Sequence, residues 1–143
     1  MRRTPLLAAL LIGCASPSHP GDPGNVTPGV QVQSGREFDI AFAQEVEIQG
    51  TGLTIRFVGV GEDSRCAIDV QCVWAGNAIV RLVLSSPGLA SSEVALNTTL
   101  EPRAANYASH SIRLAGLKPV PRSGTTIQAA SYVATLEVRP SSG

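Results

Sequence analysis

The feature that most constrains this chain is an alternation. From Glu37 onward, short runs place an apolar side chain at every second position, the period of a strand with one buried face. Phe38, Ile40 and Phe42 alternate with Glu37, Asp39 and Ala41, and Val46 and Ile48 continue the parity after a short interruption. Leu53, Ile55 and Phe57 share one side; Val58 and Val60 then change parity, which predicts a bulge or a strand that switches sheets. Val80, Leu82 and Leu84 alternate with Ile79 and Val83, as in a strand buried on both faces. Val94 and Leu96, then Ile112 and Leu114, mark short strands, and Tyr132, Ala134, Leu136 and Val138 mark the last.

Turn chemistry separates these runs: QGTG, SSPG, LEPRAAN and KPVPRSGTT. No segment carries a long helical period with caps. Several short strands in about a hundred residues predict an all-β domain. We expect an antiparallel β-sandwich, immunoglobulin-like in the loose sense, with a small barrel as the alternative. The parity changes favour two packed sheets. The true immunoglobulin signature is absent, because its cysteines lie far apart in sequence and staple two sheets.

The N-terminus reads as an address. Arg2 and Arg3 precede a short apolar run, Leu6–Ile12, too short to span a bilayer as a helix. Leu11-Ile12-Gly13-Cys14 resembles the lipobox of bacterial lipoproteins. That resemblance implies a signal peptide over residues 1–13, cut before Cys14. It implies a diacylglycerol on the cysteine sulfur and, often, a further acyl chain such as palmitate on the new amine. One acyl chain gives marginal membrane residence, whereas two or three anchor stably. Ala15 follows the cysteine; the absence of an aspartate there points to the outer membrane in a diderm host. Residues 14–33 then form a lipidated tether, Pro-, Gly- and Ser-rich, with too little apolar surface for a core. His19 falls in it. Residues 34–140 form the single β domain.

Cys14 consumed by lipid leaves Cys66 and Cys72, an even pair in an oxidising compartment, for which a disulfide is the default. A zinc site needs four ligands, and only His19 and His110 supplement the pair. A thioredoxin-like site needs a C-x-x-C at a helix start, which is not the spacing here. These remain the weaker alternatives.

The segment Asp63–Gly76, DSRCAIDVQCVWAG, lies between two expected strands. It resembles small uncharacterised bacterial lipoproteins with a D-S-R-C-x5-C-x-W-x-G segment in an all-β domain, matched here by Asp63, Ser64, Arg65, Cys66, Cys72, Trp74 and Gly76. LAGLKPVP and YVATLEV extend the likeness into the C-terminal half. Ala67 stands where that group often has Pro. The resemblance implies a fold and a location but no activity.

From the residues themselves, Asp63 and Ser64 suit turn capping. Arg65 suits a largely exposed ion-pair network with Asp63, Asp69 or Glu62. Trp74 suits packing on the disulfide or covering the sandwich edge, and Gly76 suits a backbone geometry closed to side chains. The functional alternative is a recognition loop formed by Asp63, Ser64, Arg65, Asp69 and Trp74, since Arg and Trp dominate binding hot spots. An inhibitor of an exported protease is one case of it. Calcium binding by Glu62, Asp63 and Asp69 lacks the D-x-D-x-D-G pattern, so no metal and no cofactor is expected. A hydrolase would draw on Ser64 and His110, but there is no G-x-S-x-G elbow. GEDS lacks the lysine and spacing of a phosphate loop. The sequons at Asn25 and Asn97 are accidental in a bacterial lipoprotein.

Net charge is zero, charged residues are 15% and aromatics 4%, which leaves neither a basic patch nor a stacking platform for nucleic acid. The expectation is a cell-envelope protein without catalytic residues. It contacts the membrane through its lipid and serves as a binding or structural module with a possible envelope protein partner.

Overall fold

The computed structural model describes residues 29–142. The expected signal peptide, Cys14 and all of the tether before Gly29 lie outside the described residues.

Among the described residues, nine strands form two sheets. The first sheet contains β1 (Val30–Val32), β3 (Glu45–Ile48), β4 (Thr54–Asp63), β5 (Ala78–Ser85) and β6 (Ser92–Asn97), in the order β1-β3-β4-β5-β6. The second contains β2 (Glu37–Ala41), β7 (Ala104–Tyr107), β8 (His110–Lys118) and β9 (Val133–Pro140), in the order β2-β9-β8-β7. A 3-10 turn, Ala129–Ser131, precedes β9. The sheets keep separate edges, so the fold is a β-sandwich and not a closed barrel.

Its core is the set of residues that alternate in sequence. Ile40, Val46, Ile48, Leu53, Ile55, Phe57, Val80, Leu82, Leu84, Leu96, Ile112, Leu114, Ala134, Leu136 and Val138 are all buried. Each large one contributes about 1.5–3 kcal/mol by leaving water. Phe42 meets Phe57 edge-on at a centroid distance of 6.2 Å, a favoured aromatic arrangement.

The parity change in β4 is a bulge. Phe57 pairs with Leu82 and Gly59 with Arg81, which leaves Val58 as the extra residue and returns Val60 to the core side opposite Val80. A further register shift falls between Val60 and Asp63 in β4, and another bulge occurs in β8. Leu114 pairs with Leu136 and Gly116 with Thr135, so the inward position moves from Leu114 to Leu117.

β1 pairs with β3 in parallel, Val30 with Val46 and Val32 with Ile48. All other pairs are antiparallel. This strand occupies residues 30–32, inside the stretch expected as tether, and Val32 packs on the core. Because β1 and β3 run alike and β3 opposes β4, Gly29 leaves β1 toward the end at which β4 finishes.

Candidate functional site

β4 and β5 lie side by side in the sheet, and the chain between them, residues 64–77, forms an arm beyond the end of the sandwich. Backbone pairing carries the ladder into this arm. The Ser64 N–H donates to the Asn77 carbonyl at 2.7 Å and the Cys66 N–H to the Ala75 carbonyl at 3.0 Å. The Ser64 hydroxyl accepts from the Asn77 N–H at 3.1 Å. The Cys66–Cys72 disulfide closes the tip, with 5.9 Å between Cα atoms. The two stems approach so closely that a Cβ on Gly76 would lie 1.8 Å from the Ser64 carbonyl oxygen, and Gly76 has φ of +68°. Only glycine fits both demands.

Two side chains fasten the arm to the chain linking β8 to β9. Arg65 donates to both carboxylate oxygens of Asp63, from Nε at 2.8 Å and from Nη2 at 2.7 Å. It also donates to the carbonyls of Leu117 at 2.7 Å and Pro119 at 3.0 Å. Both side chains of this pair are only 12% exposed. Tyr132 donates its hydroxyl to Asp63 at 2.9 Å. Farther along, Asp69 accepts from the Ser123 backbone N–H at 2.9 Å and from its hydroxyl, while the Ile68 N–H donates to the Pro121 carbonyl at 2.9 Å.

On the other flank Asn77 bridges to β6. Its side-chain Nδ2 donates to the Asn97 Oδ1 at 2.7 Å, and its side-chain Oδ1 accepts the Thr99 N–H at 3.1 Å.

The electrostatics follow from these contacts. Burial pushes the Asp63 carboxyl up, but the hydrogen bonds from Arg65 and Tyr132 outweigh it and hold its pKa below the usual range. Burial, and then the hydrogen bond to Asp63, push the Tyr132 hydroxyl up. The Ser123 bonds lower Asp69.

The five residues expected to form a recognition loop therefore divide. Arg65 is turned inward and clamped; it is neither presented to solvent nor part of an exposed network. Asp63, Ser64 and Asp69 spend their polar atoms on internal bonds. Asp63 and Asp69 are thus engaged with different partners, and among the described residues no three His, Cys, Asp or Glu side chains gather to hold a metal. Trp74 is the exception: it is 82% exposed, where packing on the disulfide or the sandwich edge would have buried it. His110 opens β8 with Nδ1 against the Ala108 carbonyl at 2.7 Å, and the Ser64 hydroxyl donates to the Asn77 carbonyl at 3.0 Å.

What sequence reasoning missed is how much apolar surface the arm and its neighbouring segments expose. Val73 is 91% exposed, and Ile68, Val70, Leu100 and Val120 are also open to solvent. A shallow cleft runs beside Trp74, lined by Ser64, Ala75, Gly76, Asn77, Thr99 and Leu100. Among the described residues, six of the eight exposed large apolar residues lie on the arm or on the two segments, 98–103 and 119–128, bonded to it; the others are Val30 and Leu89. The missed signal was the run of apolar residues around the cysteines, Ile68, Val70, Val73 and Trp74, with no period that would bury them.

No protein-family model matches the chain, and no curated protein or solved structure matches it.

Proposed function

We propose that this chain is a lipid-anchored protein of the bacterial cell envelope, held through Cys14, whose β domain is a binding module and not an enzyme. One observation carries the reading. An arm tied down by a ladder, a disulfide, the Arg65 clamp and the Asp69–Ser123 contact presents Val73 and Trp74 almost wholly to water. Rigid loops on a β scaffold are common carriers of binding, and exposed apolar clusters mark contact sites. Such order around uncovered apolar side chains is what a preorganised contact needs, because little entropy is left to lose on docking.

A photo-crosslinking residue at position 73 tests it in intact envelopes, with one at position 89 as the control. Leu89 sits in the β5–β6 turn, at the opposite end of the sandwich. Adducts formed from position 73 and not from 89 support a binding arm. Equal or absent labelling from both overturns it.

The rigid, disulfide-closed arm also favours a second reading, an inhibitor of an exported protease. Such an inhibitor loses potency when Cys66–Cys72 is reduced; inhibition that survives reduction, or no inhibition at all, rejects it.

A further inference from the structure

We infer that the apolar tip formed by Ile68, Val70, Val73 and Trp74 docks on the lipid surface of the membrane that holds the anchor. The proposal rests on the lipid-anchor reading of Cys14 and names the partner of the arm.

The direction of the chain carries the argument. Gly29 leaves β1 beside Glu45, at the level of Arg56 on β4. From there β4 and its arm run on toward the same side for seven further residues to Asp63. That is about 20 Å at strand rise, before the tip is added. Gly29 lies level with the third residue of β4, and β1, read back toward its start, points to the pole that carries the apolar tip. Fourteen residues lie between Cys14 and Gly29, a span of at most about 50 Å. That is long enough to let the tip reach the bilayer, and short enough to hold the domain near it.

The chemistry of the tip suits the same occupant. Val73, Trp74 and Ile68 are 91%, 82% and 65% exposed. Trp is the side chain most at home at a membrane–water boundary, with an apolar body and one donor. The arm's own charged side chains, Arg65 and Asp69, are already bonded within the protein, so docking need not desolvate an unpaired charge of the arm. Once the anchor holds the domain at the surface, docking is intramolecular, and a modest apolar contact suffices.

Trp74 is the only tryptophan, so it reports directly. The mature, full-length protein is reconstituted into phosphatidylethanolamine/phosphatidylglycerol vesicles, and lipid on Cys14 is measured by mass. The expected result is blue-shifted Trp74 emission, quenched by lipids brominated near the headgroup and shielded from aqueous iodide. Val73→Asp, at an exposed position, should shift the docked equilibrium about tenfold or more toward the undocked state and return the emission toward the red. Leu89→Ser, at the far pole, should change nothing. Lipidated protein whose Trp74 stays red and open to iodide overturns the docking and leaves the anchor standing. Protein carrying no lipid on Cys14 overturns the anchor and the docking with it. A blue shift that grows with protein concentration without vesicles overturns lipid docking in favour of contact between copies.

Discussion

Asp63 and Arg65, two residues apart, form a bidentate ion pair whose guanidinium also reaches the carbonyls of Leu117 and Pro119. One side chain thus joins the base of the β4–β5 arm to the end of β8. A lysine provides the charge but not the planar fork. Arg65→Lys should cost about 2 kcal/mol of unfolding free energy, the worth of charge-assisted bonds lost in a mostly buried site. Hydrogen exchange should speed up together in residues 64–77 and 117–123. Loss of protection in only one of the two segments would contradict the clamp.

Gly76 meets a harder constraint. Its left-handed backbone costs another residue about 1–2 kcal/mol, and its missing Cβ lies where the Ser64 carbonyl sits. Backbone cannot step aside as a flexible side chain can. Gly76→Ala should therefore destabilise by about 3 kcal/mol or more, read as a lower urea midpoint. Gly124 also has positive φ but nothing within 4 Å of an added Cβ. Gly124→Ala should cost only the conformational part, about 1–2 kcal/mol.

The core was legible because alternation is a local property: Phe38 through Phe42 and Tyr132 through Val138 reveal their buried face to anyone counting by two. The β4 bulge was legible for the same reason, since Phe57 and Val60 cannot share a face without an extra residue. The β8 bulge was not, because Ala115 and Gly116 carry too little apolar contrast to mark a parity change. β1 was missed because its V-Q-V alternation is only three residues long and follows a Pro- and Gly-rich stretch, and its partner is reached in parallel across a sheet change. At the site, the disulfide followed from cysteine arithmetic, but the direction of Arg65 did not. Its partners Leu117 and Pro119 lie 52 and 54 residues away, and only the packed fold brings those carbonyls within reach.

The disulfide closes a short loop, so its entropic contribution is small, about 2 kcal/mol. The ladder through Ser64, Cys66, Ala75 and Asn77 and the Arg65 clamp do not depend on it. Replacing both Cys66 and Cys72 by Ser should lower stability by about that amount and leave the sandwich folded. Exchange protection should fall at residues 67–73 and persist at Ser64 and Asn77. Unfolding of the whole domain at neutral pH would show that the clamp does less than its geometry implies.

Acid should weaken the fold through its paired carboxylates. Hydrogen bonds with Arg65 and Tyr132 outweigh burial and lower Asp63, and bonds from Arg113 and Arg139 lower Glu137. An unfolded Asp titrates at about 3.9. Below that value the unfolded chain binds more protons than the native one, so stability rises with pH there. The contribution is complete above about pH 4–5 and is lost as pH falls through the lowered native values. Urea midpoints measured from neutral pH down through this window should fall. The fall should be shallower in Asp63→Asn, which has one such carboxylate fewer.

Tyr132 offers the sharpest check on the base of the arm. Its ring belongs to the core, whereas its hydroxyl reaches Asp63. Tyr132→Phe keeps the ring and removes one hydrogen bond to a charged acceptor, which should cost about 1.5–3 kcal/mol. In an Asp63→Asn background the same change should cost less, because the acceptor is no longer charged. A double-mutant cycle measures that difference directly. The Tyr132 titration, followed by phenolate absorbance, starts above the ordinary tyrosine value because burial and the Asp63 carboxylate both oppose the anion. In Asp63→Asn it should move back down, with burial alone holding what shift remains. Additive stabilities and an unmoved titration would mean that Tyr132 acts only by packing, and that Arg65 alone holds Asp63.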